Sequence, residues 1–465
     1  MTRPLIALLA LLAACQPPPD GVARVVVVRA GDHFVTNSGV ADQRGDLSEL
    51  EAWRVNADGA WQLPVTLASG LAVVPRVPPG ELMLHYRGSW FTADDTAIDL
   101  GADRLGRADA EPAPDGAEVA LSVGGLAPWR SGDQIELYSS GAGAWMLAPL
   151  SADDGATEAQ QVLPWDGHLV RASAGDRLLL AQLDRGTLGG EPYLAVARAA
   201  EVSTVEMTGE RVPVQVALAE APRASFAVDW RIGAFDDVRL ASQPVIAQSW
   251  YDAGLAAMPA ADSLGNYDLS ADLVTMRVTD RTGRDMSGTF DYGRPAAADW
   301  PVVATVVAWY PAGRRAADGD VQTILFDALW IRDRADALDG TPLAPTLGPP
   351  ERLRVGGADA MVARTGIGPS PLVAWDPPSL GEAAGYQVVV YSLASVDGQT
   401  LDIGEVEVRT ARTALRLPPG AVASDADAFV VQVWALDAPV DLAARPLSVG
   451  LPQAQASVTS ASLIP

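Results

Sequence analysis

Short runs that alternate between apolar and polar residues recur along the whole chain, and they limit its fold more than any other feature. Glu81–Arg87 places Leu82, Leu84 and Tyr86 on one side, and Asp133–Tyr138 alternates in the same way. Turn residues, with 43 Gly and 35 Pro, interrupt these runs throughout. Period-two alternation is typical of half-buried strands, whereas helices need a period near 3.6, which is hard to find here. The sequence therefore predicts an all-β, multidomain chain of β-sandwich-like units.

Turn-rich polar stretches mark where these units begin and end. The length of 465 residues suggests about three domains of 100–200 residues each. Ala108–Gly116 and, less sharply, Leu218–Arg223 are candidate breaks, and Asp339–Pro350 is rich in Pro and Gly without apolar periodicity. We predict β units with the following bounds: 22–107, 117–220, 221–338 and, after a linker at 339–349, 350–463. Whether 117–338 holds one domain or two stays open.

The first fourteen residues form a separate segment with the pattern of an export signal. Arg3 is a short cationic region, and Leu5–Ala14 is apolar without interruption. This apolar run is too short to span a bilayer, which needs about 20 residues, so we interpret 1–14 as a signal peptide. Residues 15–21 follow as a Pro-rich tether, since proline runs favour an extended, semi-rigid spacer.

The end of this signal peptide, Leu12-Ala13-Ala14-Cys15, resembles the lipobox of bacterial lipoproteins. The resemblance implies cleavage between Ala14 and Cys15 and attachment of fatty acid (such as palmitate) to Cys15, which would anchor the chain in a membrane of the cell envelope. Gln16, rather than Asp, favours the outer membrane over the inner membrane in the Gram-negative sorting pattern. The alternative is an ordinary secretory leader followed by a chance cysteine.

The charge of the chain limits its partners. The formal net charge is −25, and it becomes −26 when the predicted signal peptide, with Arg3 and no acid, is removed. Nucleic-acid binding depends on cationic residues that neutralise phosphates, so no nucleic-acid partner is expected. The same charge disfavours lying flat on an anionic membrane, so membrane contact should come from the lipid. Because Cys15 is the only cysteine, no intrachain disulfide is possible.

The segment 350–463 has the clearest order of predicted strands. Apolar alternation follows Trp375, begins again at Tyr386, and returns after Leu417 at Phe429. The order and spacing resemble a fibronectin type III domain, a seven-strand sandwich. The resemblance implies that Trp375, Tyr386, Leu417 and Phe429 form its core, with Trp375 on the second strand. The family usually has tyrosine where Phe429 stands, so the hydroxyl bond of that corner would be missing.

The first unit carries a fainter resemblance. Trp61 follows an Asp58-Gly59 turn, and Val77-Pro78-Pro79-Gly80-Glu81-Leu82 comes later. This arrangement resembles the prealbumin-like regulatory domains appended to carboxypeptidases, which are small β-sandwiches without catalytic groups.

No catalytic or metal motif stands out in the sequence. His33, His85 and His168 are far apart and lack metal-ligand spacing, and the zinc, calcium-loop, phosphate-loop and nucleophile-elbow patterns are absent. Acidic pairs that could hold calcium between loops more often occupy solvated turns; they are Asp94-Asp95, Asp236-Asp237 and Asp318-Gly319-Asp320. We predict no catalytic residue, no metal and no cofactor.

Three functions are compatible with this pattern. The leading hypothesis is a lipid-anchored envelope protein with a non-enzymatic interaction or structural role. The first alternative is a carbohydrate-binding protein, because several tryptophans lie next to Gly, Pro or Ser: Trp61, Trp90, Trp129, Trp145 and Trp165. The second alternative is a hydrolase whose catalytic acids come together only in the folded chain. Such a site would have two carboxylates about 5–10 Å apart in a cleft. The partner itself, protein or glycan, cannot be read from the sequence.

Overall fold

Strands make up nearly all of the regular secondary structure in the described chain. The computed structural model describes residues 23–36, 38–78, 80–242, 249–259, 270–279, 284–295, 300–312, 325–396, 399–439, 441–447 and 450–465. Within these ranges the regular elements are 34 strands, two short α-helices and one 3₁₀ turn. The predicted all-β fold is therefore confirmed.

The first unit, residues 23–107, consists of short strands. They are β1 (Arg24–Arg29), β2 (Gly31–Thr36), β3 (Gly39–Arg44), β4 (Glu51–Asn56), β5 (Gly59–Leu63), β6 (Thr66–Ala68), β7 (Leu71–Val77), β8 (Leu82–Tyr86), β9 (Ser89–Thr92), β10 (Ala97–Asp99) and β11 (Asp103–Leu105). The sheet β10-β1-β7-β6 packs against β4, β8 and β9, with Val26, Val28, Leu82 and Leu84 between them. A small sheet, β11-β2-β3, lies beside this core. The finer resemblance to prealbumin-like domains stays a prediction.

The second unit, residues 117–220, has two layers. Its strands are β12 (Glu118–Gly124), β13 (Gln134–Ser139), β14 (Ala144–Ala148), β15 (Glu158–Pro164), β16 (Leu178–Leu188), β17 (Glu191–Val202), β18 (Arg211–Ala217) and β19 (Ala219–Glu220), with a 3₁₀ turn at Ala172–Ala174. Val119, Leu121 and Val123 are buried and alternate with partly exposed neighbours along β12, as the period-two pattern requires. They face Ile135 and Leu137 of β13 across the core.

The third unit, residues 221–343, repeats this two-layer plan. Its elements are β20 (Arg223–Trp230), α1 (Ile232–Ser242), β21 (Trp250–Ala257), β22 (Ala271–Thr279), β23 (Met286–Gly293), β24 (Val302–Pro311), β25 (Phe326–Arg334), α2 (Ala335–Leu338) and β26 (Pro342–Leu343). The small sheet β23-β20-β26 covers β21, β22, β24 and β25. Trp230 and Phe235 fill the core at 0 % exposure.

The fourth unit, residues 347–463, is a sandwich of two sheets, one with three main strands and a two-residue strand, the other with four strands. Its strands are β27 (Glu351–Val355), β28 (Ala358–Asp359), β29 (Leu372–Asp376), β30 (Gly385–Val396), β31 (Gln399–Thr410), β32 (Ala414–Arg416), β33 (Ala428–Asp437) and β34 (Gln453–Thr459). The sheet β28-β27-β29-β32 faces β34, β33, β30 and β31. Two packed antiparallel sheets of about seven strands are what the fibronectin type III resemblance implies.

One sheet of 17 strands connects all four units. Its hydrogen-bonded order is β14-β13-β16-β17 from the second unit, then β22-β21-β24-β25, then β34-β33-β30-β31, and finally β9-β8-β4-β5 of the first unit, with β19 beside β17. The order of units in this sheet is therefore second, third, fourth, first. Each smaller sheet covers one part of it, and neighbouring units share core residues as well as backbone hydrogen bonds.

The joins between units differ in length. β25 and β34 are paired from Leu329 to Arg332, β31 and β9 run parallel over three residue pairs, and β17 meets β22 over two pairs. Hydrophobic clusters cross the unit boundaries as the hydrogen bonds do: buried residues of β16 and β17 belong to the cluster of the third unit, and Val55, Met83 and Trp90 of the first unit belong to that of the fourth. The domain bounds themselves stay a prediction.

Candidate interaction surface

A row of four tryptophans crosses the large sheet on the face opposite the third and fourth cores. Trp250, Trp309, Trp330 and Trp434 come from β21, β24, β25 and β33. Successive ring centroids are 6.3, 5.7 and 6.2 Å apart, and each ring is partly buried. With β34 included, the row crosses five strands and is about 19 Å long at the usual strand spacing. We call these four residues the tryptophan row.

The backbone register explains why these rings meet. Trp250 is directly opposite Trp309, and Trp330 is opposite Val307, two residues before Trp309 on the same face of β24. Directly opposed and diagonal side chains on one face of a sheet are within reach of aromatic rings. Trp309 also packs edge-on against Trp330, with 70° between the ring planes, an arrangement that aromatic rings favour.

The faces of the rings are largely occupied. The guanidinium of Arg277 lies 5.9 Å from the ring centroid of Trp250, and that of Arg332 lies 5.2 Å from Trp330. Phe326, which is 40 % exposed, packs edge-on against Trp250 at 4.6 Å. The row therefore presents ring edges and arginine stems to its surroundings, rather than flat open faces.

A buried polar network fixes one end of the row. Trp434 Nε1 donates a 2.9 Å hydrogen bond to Gln432 Oε1, and Gln432 Nε2 donates to Asp327 Oδ1 at 3.0 Å. The hydroxyls of Ser457 and Thr459 donate to the same carboxylate oxygen at 2.9 and 2.7 Å. Since Gln432 and Asp327 belong to the fourth and third units, the network also holds these two units together.

The tryptophans that the sequence placed near turns have different environments. Trp90, Trp129 and Trp165 are buried at 6 %, 3 % and 4 % exposure, so they cannot serve as open platforms. Trp145 is partly buried and its indole nitrogen donates to Glu136. Trp61, on the edge strand β5, is 45 % exposed, with Arg54 over its ring at 5.8 Å.

The histidines each have a local partner. His33 Nδ1 is 2.7 Å from Asp42, His85 stacks on Trp90 at 4.7 Å, and His168 Nδ1 is 3.2 Å from the carbonyl of Gly143. In the part of the chain that the structure describes, no group of three or more His, Cys, Asp or Glu side chains could hold a metal ion.

The acidic pairs that were candidates for calcium make other contacts. Asp94 forms an ion pair with Arg412, and Asp236 is buried with Arg239 and accepts a 2.6 Å hydrogen bond from Tyr251. Asp318 and Asp320 lie outside the described residues.

One pair of acids is placed unusually. Glu136 on β13 is 1 % exposed, and Asp272 at the start of β22 donates its backbone N–H to Glu136 Oε1 at 2.7 Å. Burial, and then the nearby Asp272, raise the pKa of Glu136 well above its ordinary value, and burial raises the pKa of Asp272 to about 6. Because Glu136 is shielded from solvent, it is poorly placed to reach a substrate.

The core residues named from the fibronectin type III resemblance lie together. Trp375, Tyr386, Leu417 and Phe429 are all at most 3 % exposed and share one cluster. The rings of Trp375 and Tyr386 pack edge-on at 5.1 Å. Trp375 is on β29, the second main strand of the unit, and Tyr386 is on the third, β30.

The predicted lipidation site lies outside the described residues. These begin at residue 23, so the signal peptide 1–14, the cleavage site at Ala14 and Cys15, and the tether 15–21 are not among them. In the described chain, no helix has the length and apolar character required to cross a membrane.

Comparison with known proteins adds little to this description. No protein-family model matches the chain, and no curated protein matches it. Among solved structures, chicken CNTN1 FN1–FN3 domains align at 9 % identity over 96 % of both chains, with a TM-score of 0.13. A Streptococcal ancillary pilin aligns at 11 % identity over 65 % of this chain and 96 % of its own, with a TM-score of 0.12. Superpositions this poor carry no argument about function.

Reasoning from the sequence missed the tryptophan row. A signal was present in the alternation of β33, where Gln432 and Trp434 point away from the core residues Val431 and Val433. Trp309 lies in an apolar stretch, Pro301–Tyr310, that is typical of a strand buried on both faces, and so it did not stand out.

Proposed function

We propose that this protein is a lipid-anchored, non-enzymatic binding protein of the cell envelope, and that it binds a protein partner through the tryptophan row. The observation that carries the proposal is the row itself, with Arg277 and Arg332 stacked on it. Tryptophan and arginine are the residues most enriched among those that dominate binding energy at protein interfaces. An apolar strip about 19 Å long suits a protein surface of ordinary interface size.

The environment of the rings favours a protein over a sugar at this position. A sugar ring stacks on the flat face of an aromatic side chain, but the faces of Trp250, Trp309 and Trp330 are covered by each other or by arginine. Ring edges and partly exposed apolar atoms, in contrast, pack well against the side chains of another protein.

The position of the most perturbed acids supports a role without catalysis. Glu136 and Asp272, the acids with the most perturbed surroundings, lie at an internal joint and Glu136 is 1 % exposed. Perturbed carboxyl groups mark catalytic sites mainly when they lie in a cleft that substrate can enter. Membrane attachment through Cys15, with the outer membrane favoured by Gln16, belongs to the same proposal.

Photocrosslinking in cells tests the binding surface directly. A photoreactive amino acid at Phe326, beside the row and 40 % exposed, should give a discrete adduct with a partner, and Trp309→Ala should abolish it. The same amino acid at Val162, 43 % exposed on β15 of the second unit, is the matched control and should give no such adduct. Equal patterns from both positions, or an adduct that survives Trp309→Ala, would contradict the proposal, as would turnover by the purified mature chain in a broad hydrolase screen.

Carbohydrate binding is the second candidate function, and Trp61 is the residue that favours it. Trp61 is 45 % exposed on strand β5, which in the described chain pairs with β4 alone. A glycan array tests this function. Signal that is lost in Trp61→Ala and kept in Trp309→Ala supports a sugar platform at Trp61, and an array without signal removes it.

A further inference from the structure

The joint between the second and third units is the shortest of the three joins in the large sheet. β17 and β22 are paired only at Leu194 with Thr275 and at Ala195 with Val274. The other two joins have three and four residue pairs. Side-chain contacts next to β17 and β22 must therefore contribute much of what holds these units together. We call this region the β17–β22 joint.

Glu136 supplies one of those contacts from inside the protein. Its Oε1 accepts two hydrogen bonds of 2.7 Å, one from the indole nitrogen of Trp145 and one from the backbone nitrogen of Asp272. The first donor is in the second unit, and the second donor is in the third. Glu136 Oε2 is buried and has no hydrogen-bond partner among the described atoms. A buried carboxylate oxygen left in this state is costly unless it is neutralised by a proton.

The surroundings of Glu136 contain acids but no base. The titratable groups that face it are Asp272, from β22, and Tyr138, from its own strand. The neighbouring strands β14 and β16 place Leu147 and Ala181 directly opposite it. Within the described residues, no arginine or histidine makes an ion pair or hydrogen bond with Glu136.

The nearby aromatic residues close the space around the pair. Tyr138, which is 1 % exposed, packs edge-on against Trp300 of the third unit at 6.2 Å. Leu179 and Ala271 complete a small cluster that bridges the two units. Repulsion between two carboxylates is weakly screened in such surroundings.

We propose that Glu136 is protonated when the β17–β22 joint is closed, and that loss of this proton as the pH rises loosens the joint. The carboxylic acid keeps both hydrogen bonds to Oε1 and removes the charge from the unpartnered oxygen. When a base in solution takes the proton, a buried negative charge remains on Glu136 without a counterion, and the nearby Asp272 adds to its cost. The contact between Glu136 and the start of β22 then loosens, while the core that the two units share stays folded. This inference does not depend on the binding function proposed above.

The direction of the pH dependence follows from linkage. In the folded chain, both carboxyl groups have a pKa above the ordinary value. At pH values between the ordinary pKa and the folded pKa, the folded protein therefore binds more protons than the unfolded one. The stabilisation is fully present below the ordinary pKa of these acids. It is lost as the pH rises through the folded values, which for Asp272 means around pH 6.

Hydrogen exchange of the mature chain tests the proposal. The amides at the start of β22 should lose protection by at least about tenfold between roughly pH 5.5 and pH 8.5, after correction for intrinsic exchange rates. This size is expected because one pKa unit corresponds to a tenfold change in an equilibrium constant. Glu136→Gln keeps an acceptor for Trp145 and Asp272 but carries no charge, and it should remove this loss. Glu201→Gln, on the surface of β17 and paired with Arg177, is the matched control and should behave as the wild type.

Two results would overturn the inference. One is protection that is equal at both pH values in the wild type, and the other is a pH-dependent loss that persists unchanged in Glu136→Gln. If Glu136→Gln does not fold, Asp272→Asn provides a second readout, because it removes the nearby carboxylate that adds to the effect of burial on Glu136. The loss of protection should then be smaller than in the wild type, and a loss of equal or larger size would contradict the inference.

Discussion

The hydroxyl of Thr459 donates a 2.7 Å hydrogen bond to Oδ1 of Asp327, although the two residues are 132 positions apart and belong to different units. Asp327 is at 0 % exposure, at the place where β25 and β34 stop pairing. Ser457 and Gln432 donate to the same oxygen. This carboxylate therefore connects the third and fourth units by side-chain hydrogen bonds beyond the last backbone pair of β25 and β34.

Replacing Asp327 should destabilise the joined sheet. Asp327→Ala removes the acceptor of the Ser457 and Thr459 hydroxyls and of the Thr459 backbone N–H, and each buried donor left unsatisfied costs about 1–3 kcal/mol. We expect a loss on the order of 3 kcal/mol in the free energy of unfolding, measured by denaturant titration. Asp336→Ala is the control, because Asp336 is exposed and its pair with the exposed Arg334 is screened by solvent, so its loss should change stability little. Equal losses in the two variants would contradict the role of Asp327.

A second contact, between Thr92 and Thr410, joins the first unit to the fourth. Their hydroxyls are 2.8 Å apart, at 4 % and 1 % exposure, beside the parallel pair β9 and β31. Thr410→Val removes the acceptor of the Thr92 hydroxyl and of the Arg412 backbone N–H, whereas Thr92→Val removes one of the two donors to Thr410; each variant should cost roughly 1–2 kcal/mol. The double variant should cost less than the sum of the single variants, because both hydroxyls are then gone. Additive losses in the cycle would show that the two hydroxyls do not interact.

The strand content and the cores could be predicted from the sequence because they depend on side chains. The alternation of Val119, Leu121 and Val123 leads directly to a buried face, and the positions of Trp375 and Tyr386 indicate a sandwich. Burial of apolar side chains is the main stabilising contribution to folding, and it follows a period that can be read from the residues.

The joins between units could not be predicted, because backbone groups make them. Every strand carries the same N–H and C=O groups, so nothing in β9 or β31 indicates that they become neighbours. The tryptophan row depends on the register across five strands, and a single step of register would move its rings to the other face. The alternation along β13 predicts that the side chain of Glu136 faces solvent. In the fold it is buried at 1 % exposure, in contact with the start of β22.

The lipid anchor is a prediction from Leu12–Cys15 and can be tested separately. Cys15→Ala should abolish fatty-acid labelling and release the protein from membranes, because the chain's charge of −25 offers no other attraction to an anionic surface. Metabolic labelling and membrane fractionation measure the two effects. Ser38→Ala, at an exposed turn, is a suitable control and should leave both unchanged. Labelling that persists in Cys15→Ala would refute the assignment.

Trp375 is buried and Trp61 is exposed, so replacing each by alanine should change the free energy of unfolding by very different amounts. Trp375, at 2 % exposure between the two layers of the fourth unit, fills space that no neighbour can occupy without repacking. Trp375→Ala should lower the free energy of unfolding by about 3–5 kcal/mol, in the range typical of a large side chain removed from a core. Trp61→Ala, at 45 % exposure on an edge strand, should change it by at most about 0.5 kcal/mol. Denaturant titration of both variants checks the pair. A large loss in Trp61→Ala would mean that this ring has a packing role, which would weaken the case for Trp61 as a sugar platform.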